Sequence, residues 1–208
     1  MTLESSKILG GIGALMIFIA TPLGFAIPYA GLLGLIGLIL MLIGLKGLAD
    51  FYREGGIFNN TLYAIILAIV GIVIAVATII VTALSALASI GINLSNVSDW
   101  AMFGSELANY FTNFGDFSAI WTLLGAVISA LVIIYVFIIV TMIFLRRSMN
   151  QLSSKTGVGL FGTAGLLMLI GAVLPLIGLL LIWIGFILLA VAFFQIKEQS
   201  TRTASTAL

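Results

Sequence analysis

Few side chains in this sequence could carry out chemistry. There is no histidine and no cysteine, which excludes disulfides, thiolate chemistry and metal or haem ligation by either residue. A metal site built from carboxylates alone remains open, but Asp99, Glu106 and Asp116 are dispersed and lack the loop pattern that binds a hard cation. The chain has no phosphate-binding glycine loop and no nucleophile elbow. We therefore predict no catalytic residue, no metal site and no cofactor, and expect that the protein is not an enzyme.

Hydroxyl groups are the main polar groups inside the apolar segments. They recur at three- and four-residue steps in one segment and continue in the next: Thr78, Thr82, Ser85 and Ser89, then Ser129, Tyr135 and Thr141. Such a stripe could line a path for a neutral solute. The alternative is hydrogen bonding to a carbonyl one turn back or to a neighbouring helix. Proton relays and ion pathways usually need ionisable residues within the membrane, and here those residues occur only at segment ends.

The composition indicates that lipid is the solvent for most of the chain. Of 208 residues, 62% are hydrophobic and 7% are charged, against about 25% charged in a typical soluble domain. Too little polar surface remains to cover a water-soluble fold of this size. The net charge of +1 lacks the basic face that a nucleic acid requires, so we expect the lipid bilayer as a partner and no nucleic acid.

The hydropathy pattern predicts an all-α integral membrane protein with about six transmembrane helices. Each needs roughly 20 apolar residues, and we expect the first to be retained rather than cleaved as a signal peptide. The expected spans are 8–25, 30–48, 62–90, 119–145, 158–174 and 176–194. The first and fifth could instead be short or re-entrant. We expect one membrane domain, 1–208, built from a hairpin (1–50), a longer central pair (60–146, with an outer loop at 91–118), a second hairpin (153–197) and a polar cytoplasmic tail (198–208).

The distribution of basic residues predicts the orientation. With six spans and a cytoplasmic N-terminus, all the lysines and arginines fall on the cytoplasmic side: Lys7, Lys46, Arg53, Arg146, Arg147, Lys155, Lys197 and Arg202. Cytoplasmic segments of membrane proteins carry this excess of basic residues. Both termini are therefore expected to be cytoplasmic.

Glycines at helical spacing predict close helix packing, because small residues let backbones approach in lipid. The candidate faces are Gly31, Gly34 and Gly37 in the first hairpin, and Gly178 and Gly185 in the second. They could pack this bundle internally or form a contact for a second copy or another membrane subunit. The two hairpins also resemble each other, with Ser5–Lys7 matching Ser153–Lys155 and Pro28 matching Pro175, which predicts a parallel repeat.

The outer loop has the pattern of an amphipathic helix on the membrane surface. Its aromatic and apolar face comprises Trp100, Phe103, Leu107, Tyr110, Phe111 and Phe114. This helix could be a simple interfacial anchor or a docking surface for an external partner. Two glycosylation motifs begin at Asn93 and Asn96.

Four stretches in the first third of the chain carry a family resemblance. They are SSKILGGIGAL, IPYAGLLGLIGLIL, GLKGLADFY and IFNN, beginning at residues 5, 27, 44 and 57. They resemble an uncharacterised, largely archaeal family of multi-pass membrane proteins catalogued as domain of unknown function 996. The resemblance implies a prokaryotic, archaeal cell membrane and supplies no activity, catalytic residue or ligand.

Two function hypotheses follow. The first is a non-catalytic membrane protein that acts by association, as a scaffold or accessory subunit of a membrane assembly. It is motivated by the lack of intramembrane charge, the glycine faces and the amphipathic outer helix. The alternative is a small channel or carrier for a neutral or lipidic solute, with the hydroxyl stripe from Thr78 as its path.

Overall fold

A computed structural model gives the fold, and it describes residues 2–24, 26–27, 29–89, 104–105, 108, 118–175 and 177–197. The regular structure in these residues is helical, as predicted, and no strand occurs in them. The described residues form the helices α1 (Leu3–Leu23), α2 (Ala30–Phe51), α3 (Gly55–Ser89), α4 (Ser118–Thr156), α5 (Leu160–Val173) and α6 (Gly178–Phe194).

Four of these helices, α1 to α4, are long and apolar enough to cross a membrane. At 1.5 Å per residue, the 14 residues of α5 and the 17 of α6 extend only about 21 and 26 Å, less than a hydrocarbon core of about 30 Å. The expected fifth span is therefore short, whereas the first, with 21 residues, has the full length. Six full spans stay a prediction.

Local sequence explains where several helices begin and end. Thr2 caps α1, because its side chain accepts the backbone N–H of Ser5. After α2 the chain turns through Arg53, which has a φ of 50°, and the Glu54 N–H donates to the Ala49 carbonyl. This is the left-handed helix ending that glycine usually provides. After α4, a glycine adopts this left-handed conformation: Gly157 has a φ of 72°.

The described helices divide into two compact units. The first unit, Met1–Leu67 with Ile139–Leu208, contains α1, α2, α5, α6, the first turns of α3 and the last turns of α4. Its core lies where α1, α3 and α5 begin and where α2, α4 and α6 end. The largest fully buried side chains there include Leu45, Leu48, Ile57, Met149, Phe161 and Phe193.

The second unit, Ala68–Ile138, contains the rest of α3 and α4. Small residues on both helices are buried in it: Ala75, Ala86, Ala126 and Ala130. A Cβ on Gly71 would lie 2.5 Å from the Cβ of Phe137, so these two residues are also in close contact. The larger Ile, Leu and Val side chains on the opposite faces are exposed, as expected for helices that meet through small residues.

The predicted repeat is not confirmed. Ser5–Lys7 lies in the first turn of α1, whereas Ser153–Lys155 lies in the last turns of α4. The two hairpins also differ in helix length, with 21 and 22 residues in one and 14 and 17 in the other.

Candidate functional site

A close helix contact in the first unit is a glycine crossing between α1 and α2. A Cβ on Gly37 would lie 2.7 Å from the Gly13 carbonyl oxygen, and one on Gly44 would lie 2.5 Å from the Gly10 backbone nitrogen. Real Cβ atoms do not approach this closely, so the backbones touch only because glycine occupies these positions. This crossing fixes α2, and the charged residues at its end, against α1.

The predicted glycines have different surroundings. A Cβ on Gly178 would overlap the Gly171 carbonyl, and one on Gly185 would lie 2.5 Å from Met168 Cγ, so these two, like Gly37, pack helices of their own unit. Gly34 faces Ala20, with 3.4 Å to its Cβ, and Gly31 has no atom within 4 Å. Gly31 is exposed and Gly34 is half-buried, and a partner contact at these glycines stays a prediction.

Trp183 on α6 ties that helix to α1. Its indole N–H donates to the Phe18 carbonyl oxygen at 2.8 Å, and its ring stacks on the Phe18 ring, with centroids 4.5 Å apart. In a regular helix this carbonyl would accept the N–H of residue 22, but residue 22 is Pro22, which has none. Trp183 therefore satisfies a carbonyl that would otherwise be unpaired in an apolar environment.

A hydroxyl cluster joins the first turns of α3 to the last turns of α4. Thr61 and Ser148 are fully buried, and their hydroxyl oxygens lie 2.8 Å apart. Ser148 donates to the Ile57 carbonyl at 2.5 Å. The single hydroxyl proton of Thr61 can be donated either to Ser148 Oγ or to the Ile57 carbonyl, which lies 3.1 Å away. The Asn60 amide donates to Gln151 Oε1 at 3.2 Å. Because these groups satisfy one another, the cluster is a structural contact between the helices and not an open binding site.

The charged residues of the first unit gather at one end of it. Lys7 pairs with Glu4 at 2.6 Å and donates to the Ile196 carbonyl at the end of α6. Lys155 pairs with Glu54 at 3.2 Å. Partial burial raises the pKa of the Tyr52 hydroxyl, which follows α2, above its ordinary value.

An open groove of about 460 Å³ lies beside this charged end, between α2 and the start of α3. Its walls are Ile39, Leu42, Ile43, Lys46, Asp50 and Phe58, and Gly47 leaves space between them. Lys46 Nζ lies 3.0 Å from Asp50 Oδ1 and 5.3 Å from the centre of the Phe58 ring. The sequence analysis did not identify this groove, although Ile39, Ile43, Lys46 and Asp50 recur at the spacing of one helix face.

The predicted hydroxyl path is partly engaged within its own helices. Thr78 donates to the Ile74 carbonyl and Ser85 to the Val81 carbonyl, both at 2.9 Å. Ser129 donates to the Ala126 carbonyl, also at 2.9 Å. These are the local hydrogen bonds that hydroxyls commonly form in membrane helices.

Several predicted features lie outside the described residues. They are the aromatic face of the outer helix (Trp100, Phe103, Leu107, Tyr110, Phe111 and Phe114) and the motifs at Asn93 and Asn96. Within the part of the chain that the structure describes, no group of three or more acidic residues is arranged to hold a metal ion.

The fold and these contacts define an all-helical protein whose four long apolar helices suit a membrane. The chain belongs to the family described as Protein of unknown function (DUF996), whose model matches residues 33–194. This confirms the family resemblance, whose distinctive stretches lie in the first third of the chain, and the match covers most of the chain.

An uncharacterized protein of the archaeon Methanocaldococcus jannaschii is similar over 174 residues, with 24% identity. The similarity covers 84% of this chain and 80% of that protein. No solved structure matches.

Proposed function

We propose that this is a non-catalytic protein of a prokaryotic cell membrane that acts by association, as a scaffold or accessory subunit of a membrane assembly. The observation that carries the proposal is the low burial of α3 and α4. In the apolar stretches of α3 and α4, 17% and 11% of the residues are buried, whereas in those of α1 and α2 the buried shares are 33% and 39%. The described parts of the second unit on these helices, 68–89 and 118–138, thus offer an apolar surface that the unit itself leaves uncovered.

The uncovered parts of these helices are 68–89 and 118–138, because the first turns of α3 and the last turns of α4 belong to the first unit. They are about 33 and 32 Å long, close to the thickness of a hydrocarbon core of about 30 Å. Their apolar faces therefore lie at membrane depth, where lipid, a neighbouring membrane subunit or a second copy of this chain could cover them.

The orientation proposed with this function has both termini in the cytoplasm. Its support is the clustering of the cations of the first unit at the end where α1 begins and α2, α4 and α6 end. Lysine and arginine concentrate on the cytoplasmic side of membrane proteins. The helix ends are held together there by backbone contacts such as Gly44 with Gly10.

An observation that favours the alternative, a small channel or carrier, is the Thr141 hydroxyl of the predicted path, which is buried and has no hydrogen-bond partner among the described residues. Other hydroxyls of that path count against it. The hydroxyls of Thr78 and Ser85 already donate to carbonyls of their own helix. A path for a neutral solute needs polar groups that are free to replace water around that solute.

The first test is the mass of the protein extracted from its native membrane in mild detergent, with every co-purifying chain identified. We expect a complex with another membrane protein in fixed stoichiometry. A lone monomer would contradict association, and liposome flux assays on neutral solutes would then test the alternative.

The absence of cysteine permits a sharper test of the surface itself. Single cysteines at Val73, Val81 or Ile128, which are all exposed on α3 or α4, should form crosslinks to a partner in native membranes. A cysteine at Ile19, similarly exposed on α1, is the matched control. Equal crosslinking at all four positions would reflect random collision and would count against a contact on residues 68–138.

A further inference from the structure

We propose that the groove between α2 and α3 binds a phospholipid whose headgroup carries a primary ammonium beyond its phosphate. The hydrocarbon chain lies against Ile39 and Ile43, the phosphate meets Lys46, and the ammonium meets Asp50. This site is independent of the association proposed above.

The order of residues along α2 matches the order of groups in such a lipid. Ile39, Ile43, Lys46 and Asp50 follow one another at three- and four-residue steps, so they lie on one face of the helix. Ile39 and Ile43 are 49% and 42% exposed and belong to the apolar part of α2. The charged pair follows at its end. A lipid presents chain, phosphate and ammonium in the same sequence from the membrane interior towards water.

The charges of the groove are complementary to a zwitterionic headgroup. Lys46 Nζ and Asp50 Oδ1 lie 3.0 Å apart. In an ethanolamine headgroup, only two carbons separate the phosphate ester oxygen from the ammonium, so its two charges are close enough together to face this pair of side chains. Each charged group of the lipid would therefore find an opposite charge, and a primary ammonium could also donate hydrogen bonds to the Asp50 carboxylate.

The existing Lys46–Asp50 pair does not block the site. The two side chains are 56% and 65% exposed, and an exposed pair of this kind contributes little because water and salt screen it. The lipid can insert between the two charges, or bind alongside them, without leaving either charge unpaired. Phe58 adds an aromatic wall, and Gly47 keeps the groove open because it has no side chain.

The test is native mass spectrometry of the full chain in mild detergent micelles doped with one lipid at a time. The lipids are phosphatidylethanolamine, phosphatidylcholine, whose ammonium has no N–H, and phosphatidylglycerol, which has no ammonium. We expect phosphatidylethanolamine to be retained about tenfold more tightly than either control, as the loss of one hydrogen bond to a charged group implies. Equal retention of the three lipids would overturn the assignment.

Variants locate the site. Asp50→Asn should bring phosphatidylethanolamine down to the level of phosphatidylglycerol. The double exchange Lys46→Asp with Asp50→Lys keeps an ion pair and the net charge, but it reverses the order of charges along the groove, so the preference should disappear. Lys155→Gln, which removes an ion pair outside the groove, should leave the preference unchanged. Full preference in the double exchange would overturn the proposal.

A final arm separates a membrane lipid from a soluble ligand. Free O-phosphoethanolamine carries the same headgroup without hydrocarbon chains, so it should fail to displace phosphatidylethanolamine at millimolar concentration. Displacement at equal concentrations would show that the apolar wall of Ile39 and Ile43 contributes nothing, and it would overturn the lipid assignment in favour of a soluble phosphate compound.

Discussion

At the residue scale, the contact between Trp183 and Phe18 supplies a hydrogen bond that Pro22 removes from the helix. Pro22 lies inside α1 and removes the N–H that would bond to the Phe18 carbonyl. The Trp183 indole, 165 positions away from Phe18 in sequence, supplies the missing donor. The pairing therefore anchors α6 to α1 at a point where lipid offers no hydrogen-bond donor.

Restoring the N–H at position 22 should make this hydrogen bond dispensable. We expect Trp183→Phe to lower the free energy of unfolding by about 1 kcal/mol through the lost hydrogen bond, plus a contribution from the smaller ring. In the Pro22→Ala background the hydrogen-bond part should vanish, because residue 22 then donates to Phe18. A double-mutant cycle of SDS-induced unfolding measures this coupling. Identical losses in both backgrounds would contradict it.

At the element scale, glycine determines how α1 and α2 cross, but a different residue ends α2. The crossing of α1 and α2 depends on Gly13, Gly37 and their neighbours. The ending of α2 instead uses Arg53 in a left-handed conformation, which is unfavourable for a residue with a Cβ. The first arrangement holds the unit together, and the second keeps a basic residue at the charged end.

Substitution of two glycines on α2 should have different effects on folding. We expect Gly37→Leu to disrupt the first unit, because even a Cβ would lie 2.7 Å from the Gly13 carbonyl oxygen. Gly31→Leu should leave folding intact, since a Cβ there meets nothing within 4 Å, and should weaken assembly only if Gly31 contacts a partner. Gel filtration in mild detergent reports both effects. A well-folded Gly37→Leu protein would show that the crossing is dispensable.

The two left-handed positions give a matched pair for stability. Arg53→Gly should raise the free energy of unfolding by about 1 kcal/mol, because glycine adopts positive φ without steric strain. Gly157→Ala should lower it by a similar amount; its φ is 72° and a Cβ would meet no atom within 4 Å, so only the backbone conformation is affected. Thermal unfolding followed by circular dichroism measures both. Shifts of the same sign would contradict this account.

At the scale of the whole molecule, the distribution of charge is the main guide to its place in the membrane. Every lysine and arginine that the structure describes lies in the first unit, in segments that the sequence assigns to the cytoplasm. The opposite ends of the short hairpins, near Tyr29 and Ile177, are exposed and apolar.

Thiol labelling tests that orientation directly. In intact cells, a membrane-impermeant maleimide should label a cysteine placed at Tyr29, which is 78% exposed, and should not label one at Asn59 until the membrane is opened. The cysteine-free chain provides the blank. Labelling of Asn59→Cys in sealed cells would reverse the proposed topology.

The sequence by itself determined the all-helical class, the order of the helices and the family. These follow from composition and from apolar segments long enough to cross lipid, properties that local sequence encodes. The sequence left open a short fifth segment, and α5 has 14 residues. The Arg53 turn was not predicted, because helix ends depend on individual capping contacts.

Only the tertiary structure decided which residues meet. Gly31, Gly34 and Gly37 have the same spacing in sequence, yet Gly37 alone among them lies against the α1 backbone. Spacing fixes the face of a helix, but the neighbour at each level depends on how the helices cross. For the same reason, the bond from Trp183 to Phe18 and the groove beside Lys46 emerged only when distant segments were packed together. The physical cause is that lipid gives apolar helices no preferred partner, so close contacts and hydrogen bonds select one.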